Sequence, residues 1–239
     1  MRILITNDDG IRAEGLRRLA KTAAALGEVW IVAPETQCSA MSHRITIREK
    51  LVARRVDYPE PVAEAWSLRG TPADCVKVAF AHLMRDHRPD VVFSGVNHGY
   101  NAGYDIAYSG TVGAAMEAMM LGIPAIAWSG EAVDCHEVED RFMEKIAREL
   151  LALPAPEGGI WNVNFPGCSP AEYRGILRDR TVAPLQVFQD RYTAVTTEEG
   201  DVLTVVGKKT LSDEVPEGTD LAAVLTNYIS IGVVKSSVL

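Results

Sequence analysis

Cysteine is scarce in this chain, and its four copies, at 38, 75, 135 and 168, include no pair two residues apart. That spacing excludes a zinc knuckle and a thioredoxin-type motif and favours free thiols in a reducing compartment. Basic charge is also short, with 24 Lys and Arg against 32 Asp and Glu, a net charge of -8 and a pI near 5.2. A general nucleic-acid binder would show a basic stripe and a high pI, so no stable nucleic-acid partner is expected. The acid excess lies wholly in residues 131–239, with 10 basic and 18 acidic side chains, while residues 1–130 hold 14 of each and leave room for a small anion. Long apolar runs are missing too. No uncharged stretch exceeds 14 residues, and Val91 to Tyr104, which reaches that length, contains two Asn, a Ser and a His, too short and too polar for a membrane span. The opening MRILITNDDG lacks the apolar core of a secretory signal, so a cytoplasmic location is expected. No GxxxxGK[ST] occurs and the first strand turn has one glycine, which excludes a P-loop and a dinucleotide fingerprint.

What is present is ordinary globular composition, 239 residues with 47% hydrophobic and 23% charged. A chain of this size closes a full core without disulfides or a structural metal, so any metal would be functional. Arg2 to Thr6 reads as a short buried strand, a helix follows through Leu16, Leu19, Ala20 and Ala23, and Val29 to Ala33 is the next strand. This strand-helix-strand opening starts a parallel sheet. Alternating segments at Arg44 to Arg48, Leu51 to Val56 and Ala63 to Leu68 predict an antiparallel insertion over about 44–69. Thr71, Pro72 and Asp74 open a helix as a capping box, with Val76, Phe80, Leu83 and Met84 as its buried stripe. Val91 to Phe93 and Ile123 to Trp128 are further core strands, and 136–152 is an amphipathic helix. Between those strands Ser109 caps a helix over Gly110 to Leu121 whose single charge is Glu117, so cover by the sheet and by another subunit is expected. Beyond Pro154 the pattern turns to strands. The expectation is an α/β fold, a Rossmann-like, mostly parallel sheet flanked by helices, with a β-rich C-terminal extension: a body over 1–155, then last core strands and the extension over 156–239.

In such sheets ligands sit beyond the carboxyl ends of the strands. The first of these loops supplies Asn7, Asp8, Asp9 and Gly10, two adjacent carboxylates with no evident basic partner. Hard oxygen ligands suit Mg²⁺ or Mn²⁺, and an Asx turn whose acids cap the next helix is the competing reading. The second loop, Pro34 to His43, offers Thr36, Ser39, Ser42 and His43. The third, Ser94 to Asp105, is rich in Gly and Asn and leads to Tyr108-Ser109-Gly110-Thr111 at a helix start, where amides either receive phosphate or are simply capped by Ser109. A receiver domain would need an Asp after Val91-Val92-Phe93, and a haloacid-dehalogenase-type phosphatase would need two aspartates one residue apart. Neither condition is met. His98 reads either as a substrate contact or as a solvent-facing loop residue, and the pairs Glu198-Glu199 and Asp213-Glu214 as solvated loop faces.

Taken together, NDDG, Pro34 with Ser39-Ala40-Met41-Ser42, Gly70-Thr71-Pro72-Ala73-Asp74-Cys75, Ser94-Gly95-Val96-Asn97 and Tyr108-Ser109-Gly110-Thr111-Val112 resemble the SurE (stationary-phase survival protein) family in order and spacing. The resemblance covers nearly the whole chain. It implies a divalent-metal-dependent phosphomonoesterase that hydrolyses nucleoside 5'-monophosphates, with 3'-monophosphates left open, by attack of a metal-activated water. One Mg²⁺ or Mn²⁺ per subunit would be held by Asp8, Asp9, Ser39 and Asn97, with Asp8 or Asp9 as proton acceptor. Phosphate would be held by Asn101, Ser109, Gly110 and Thr111. A non-catalytic metal-nucleotide sensor using the same loops is the alternative. The resemblance also implies a homodimer or tetramer joined through an exchanged hairpin at about Thr181 to Leu211. Gln37 and Cys38 depart from the basic or small residue usual before Ser39, as do Asn227 and Gly232-Val233 from the Gly and Thr-Pro usual near the end.

Overall fold

The computed structural model describes residues 1–209 and 215–236, and for 188–190 and 206–209 the backbone alone. In chain order the first half forms β1 (Arg2–Thr6), α1 (Glu14–Ala24), β2 (Glu28–Pro34), β3 (Val52–Arg55), β4 (Glu64–Arg69), α2 (Pro72–Val78), β5 (Val91–His98) and α3 (Gly110–Met120). The second half forms β6 (Ala125–Gly130), α4 (Glu137–Leu151), β7 (Gly159–Phe165), β8 (Gly175–Arg180), β9 (Phe188–Thr197), β10 (Gly200–Lys209), α5 (Asp220–Leu225) and β11 (Tyr228–Lys235).

Nine strands make one mixed sheet in the order β3-β4-β2-β1-β5-β6-β7-β11-β8. From β4 to β7 all pairings are parallel, and β3 and β11 run against their neighbours β4 and β7. The central strands are apolar on both sides because helices cover both faces. Leu16, Leu19 and Ala20 of α1 and Met143 and Ile146 of α4 pack with Ile3, Ile5, Phe93 and Trp128 on one face. Val76 of α2 and Val112, Ala115 and Met116 of α3 pack with Leu4, Val32 and Val92 on the other. A smaller cluster of Tyr100, Ala102, Ala183, Val187, Leu221 and Val224 joins α5 to the loop after β5.

Four expectations are corrected. Arg44 to Arg48 forms no strand, because Asp74 captures its backbone: Thr46 N–H donates to Oδ1 at 2.9 Å and Thr46 Oγ1 to Oδ2 at 2.6 Å. Residues 64–69 are not an antiparallel insertion but β4, a parallel strand of the main sheet beside β2, and only β3 runs antiparallel to it. The nearly uncharged α3 needs no second subunit for cover, since Gly110 through Ala118 are buried within the chain and Glu117 is held by His43 Nε2 at 2.8 Å and Lys77 Nζ at 3.2 Å. The hairpin begins later than 181: its strands are β9 and β10, which among the described residues pair only with each other, and residues 181–187 lie against the body. Thr210 and Leu211, like the pair Asp213-Glu214, fall outside the described residues.

Buried charge gives this fold a pH dependence. Glu139, in the first turn of α4, accepts from Arg18 Nε at 3.2 Å, yet burial dominates and pushes its carboxyl up to about 7 from 4.5. A raised folded-state value means that stability is fully present below about pH 4.5 and is lost as pH rises through 7. Glu139→Gln leaves Arg18 its Asp140 partner at 2.9 Å. The variant should remove about 1–3 kcal/mol of the stability difference between pH 5 and pH 8 in urea unfolding. An unchanged pH slope would contradict this assignment.

Candidate functional site

Beyond the carboxyl ends of β1, β2 and β5 three loops meet over the start of α3. Asn7 shapes the first of them by accepting from Gly10 N at 3.2 Å and donating to Gly10 O at 3.0 Å. This Asx turn fixes Asp8 and Asp9 at the strand end. Asp8 is 3% exposed, with Oδ1 accepting from Thr111 Oγ1 at 2.6 Å and Oδ2 from Thr111 N–H at 3.2 Å. Asp9 is half-buried, and its Oδ2 accepts from His98 N–H at 3.0 Å. Burial, reinforced by the neighbouring Asp9 charge and opposed by Thr111, lifts the Asp8 carboxyl to about 6. Among the described residues no basic side chain lies within ion-pair distance of it.

The second loop is tied down at both ends. Cys38 N–H donates to Asp8 O at 2.7 Å, and Ser42 N–H donates to Tyr108 O at 2.9 Å. Between these anchors Ser39 Oγ accepts from Gln37 Nε2 at 3.0 Å. From the third loop, Asn97 spends its Nδ2 on Gly99 O at 2.8 Å, which leaves the amide oxygen as its free end. Asp8, Ser39, Asn97, Asn101 and Ser109 all line one cavity of about 380 Å³. Cavities of about 620 Å³ between Met119 and Gly159 and about 580 Å³ at Arg44 and Arg69 lie elsewhere, each with a single acid on its wall, Glu157 and Glu49.

Helix α3 approaches this cavity at backbone distance. A Cβ at Gly110 would stand 2.9 Å from Asp8 Cβ and 3.1 Å from Asp8 Oδ2, and one at Gly113 would stand 2.4 Å from Ser42 O. Glycine is therefore what lets the helix start touch both the first and the second loop. Within its first turn Val112 N–H is capped by Ser109 Oγ at 3.1 Å and Gly113 N–H by Ser109 O at 3.0 Å. Among the described residues the Gly110 N–H has no acceptor, which leaves it available to an anion.

Thr111 stands differently from its expected role at phosphate. It is fully buried and both of its donors go to Asp8, so it orients the carboxylate and does not face the cavity. Thr111→Val should therefore lower activity about tenfold or more by removing a charge-assisted hydrogen bond, with little change in substrate KM. A raised KM at unchanged kcat would return Thr111 to the substrate.

Asn101 is 5% exposed and sits in a network absent from the sequence reading. Its N–H donates to Asn164 Oδ1 at 2.9 Å, its carbonyl accepts from Asn162 Nδ2 at 2.9 Å, and its Nδ2 donates to Ser129 Oγ at 2.8 Å. The signal for Asn162 and Asn164 was available: two amides at alternate positions of a core strand, Trp161-Asn162-Val163-Asn164-Phe165, demand polar partners. Gln37 and Asn7 were also missed as supports of Ser39 and of the acidic loop.

Of the expected metal ligands Asp8, Ser39 and Asn97 line the cavity, while Asp9 is not part of its wall and reaches it only through its bond to His98, which is. A carboxylate, a hydroxyl and an amide oxygen with a second carboxylate beside them fit a hard divalent cation. Among the described residues no three His, Cys, Asp or Glu side chains converge, so a site here draws half of its ligands from Ser39 and Asn97.

A family model described as Survival protein SurE matches residues 3–184. The 5'-nucleotidase SurE of Alkaliphilus metalliredigens is 38% identical over 233 residues, which span 97% of this chain and 91% of that protein. The 5'-nucleotidase SurE of Parvibaculum lavamentivorans is 38% identical over 244 residues, spanning 97% and 84%. The crystal structure of the SurE protein from Aquifex aeolicus superposes with a TM-score of 0.82 at 32% identity, covering 98% of this chain and 93% of that one. Sheet, acidic loop and helix start all lie within the matched region, and the chain belongs to the SurE family.

Proposed function

We propose that the protein is a 5'-nucleotidase, a divalent-metal-dependent phosphomonoesterase that cleaves nucleoside monophosphates to nucleoside and phosphate. The observation that carries this reading is the buried, cation-free carboxylate of Asp8, aimed at a cavity that also presents Ser39, Asn97 and the open start of α3. The relatives named 5'-nucleotidase support the substrate class.

Asp8, Asp9, Ser39 and Asn97 would hold one Mg²⁺ or Mn²⁺. When bound, the ion polarises the phosphoryl group and acidifies a water. Thr111 keeps Asp8 in place, and Gln37 does the same for Ser39. Asp9, whose carboxylate is the more open of the two, takes the proton from the attacking water. The Gly110 N–H, the Ser109 hydroxyl proton and the Asn101 amide neutralise charge that builds on the equatorial phosphoryl oxygens. Asn101 reaches phosphate through an amide flip: Ser129 Oγ then donates to Oδ1 and Nδ2 turns free. The protein acts in the cytoplasm as a homodimer or tetramer in this reading, and 3'-monophosphates are a second substrate to try.

Turnover of a panel of 5'- and 3'-monophosphates with Mg²⁺ or Mn²⁺, before and after exhaustive chelation, tests the proposal. Release of phosphate that chelation stops and added metal restores is expected. Binding without turnover would make the protein a metal-nucleotide sensor, and turnover indifferent to chelation would remove the metal from the reaction.

A further inference from the structure

Among the described residues eight of the 17 arginines are ion-paired, among them Arg17 with Glu60, Arg18 with Glu139, Arg54 with Glu35, Arg55 with Glu64 and Arg178 with Glu149. Four cations on the outer side of the second loop are not. Among the described residues, Arg44, Arg48, Lys50 and Arg69 have no carboxylate within ion-pair distance. Arg44, Lys50 and Arg69 line a cavity of about 580 Å³ at the carboxyl ends of β2 and β4, with Glu49 as the one acid on its wall. Arg48 continues the positive rim in an adjoining depression shared with Arg44.

The frame of this groove is fixed from below. Thr71 Oγ1 donates to Arg44 O at 2.6 Å, Arg44 N–H donates to Met41 O at 3.1 Å, and Asp74 holds Thr46 by two bonds. Asp74, the nearest buried acid, thus spends its carboxylate on Thr46 and Thr71 and leaves the guanidinium groups unpaired. The groove also abuts the cavity of the catalytic reading. Cys38 lines the groove, the next residue Ser39 lines the other cavity, and Cys38 N–H is bonded to Asp8 O. One loop wall separates the two.

We propose that this groove is a second phosphoryl-binding subsite, which favours small nucleotides bearing a further phosphate besides the one removed, such as a nucleoside 3',5'-bisphosphate. A monophosphate spends its charge at Asn101, Ser109 and Gly110 and leaves the groove without an anion. A second dianionic group across the loop wall meets two planar guanidinium forks and an ammonium, the donors suited to phosphate. The inference rests on the nucleotidase reading for its reaction, but the binding it asserts is independent of turnover.

Two measurements test it. The ratio of kcat/KM for adenosine 3',5'-bisphosphate over AMP should exceed unity by about tenfold at low salt. That ratio should collapse in Arg44→Gln/Arg69→Gln, be largely kept in Arg44→Lys/Arg69→Lys, and shrink as salt screens the groove. Both side chains are exposed, so the replacements leave the fold intact. Calorimetry of the two ligands on the Asp8→Asn variant reads the groove without catalysis and should show the same preference. Hydrolysis of AMP with no preference for the bisphosphate in either measurement overturns the subsite. A calorimetric preference with no hydrolysis keeps the subsite and overturns the nucleotidase reading. No preference and no hydrolysis overturns both.

Discussion

Asp8→Asn should lower phosphatase activity by about a thousandfold, the scale of the several kcal/mol a catalytic metal contributes. Two effects add. The change takes away the one carboxylate of the pair that is almost wholly enclosed, and it sets an amide NH₂ against one of the two donors of Thr111, which face Asp8 from 2.6 and 3.2 Å. The same change removes the repulsion between Asp8 and Asp9, so the metal-free variant should unfold at a urea concentration no lower than the wild type. Activity and stability are thus expected to part company. Calorimetric titration with Mn²⁺ should show the binding isotherm lost along with turnover. Activity within tenfold of wild type would place the metal, or the chemistry, elsewhere.

Removing residues 188–209 and closing the gap with a short Gly-rich linker should convert the protein to a monomer of lower mass. Among the described residues β9 and β10 pair with no other strand, and a lone two-stranded hairpin is marginal in water. Each of its faces still carries apolar side chains: Tyr192 and Leu203 on one, 61% and 58% exposed, and Val195 and Val202 on the other, 65% and 55% exposed. A second copy covers that surface in our reading, so light scattering on the intact chain should give at least twice 26.0 kDa. The deletion must spare 181–187. Ala183 N–H is bonded to Asp220 at 2.9 Å, Val187 N–H to Asp105 at 2.9 Å, and Gln186 lines the candidate site. An intact chain that is monomeric at micromolar concentration would refute the assembly.

Much of the sheet was legible because both its faces are buried and its strands are therefore short apolar runs bounded by polar loops. The capping box at Thr71 was equally plain, and it is formed as written, with Thr71 N–H on Asp74 Oδ2 and Asp74 N–H on Thr71 Oγ1. Arg44 to Arg48 misled because alternation records a strand-like pattern and is blind to a distant carboxylate that takes the backbone donors first. The sparse charge of α3 misled in a related way. It reported burial correctly and could not say that the second loop, α2 and the sheet of the same chain supply it. At the site, residue types and loop positions announced Asp8, Asp9, Ser39 and Asn97. The partition of donors in the first turn of α3, with Thr111 turned to Asp8 and Gly110 left open, depends on distances between loops more than a hundred residues apart in sequence.

The order of the sheet constrains how the chain assembles itself. β11 lies between β7 and β8, yet it follows β8, the hairpin and α5 in sequence. Until it arrives, β7 is an open sheet edge carrying Ile160, Val163 and Phe165, and β8 has no strand to join. An unpaired apolar edge of this kind templates wrong pairings, and the hairpin, made earlier and free of the main sheet, is the nearest wrong strand at hand. The pairing of β11 with β7 joins residues more than sixty positions apart, so its loop-closure cost must be met before its contacts repay it.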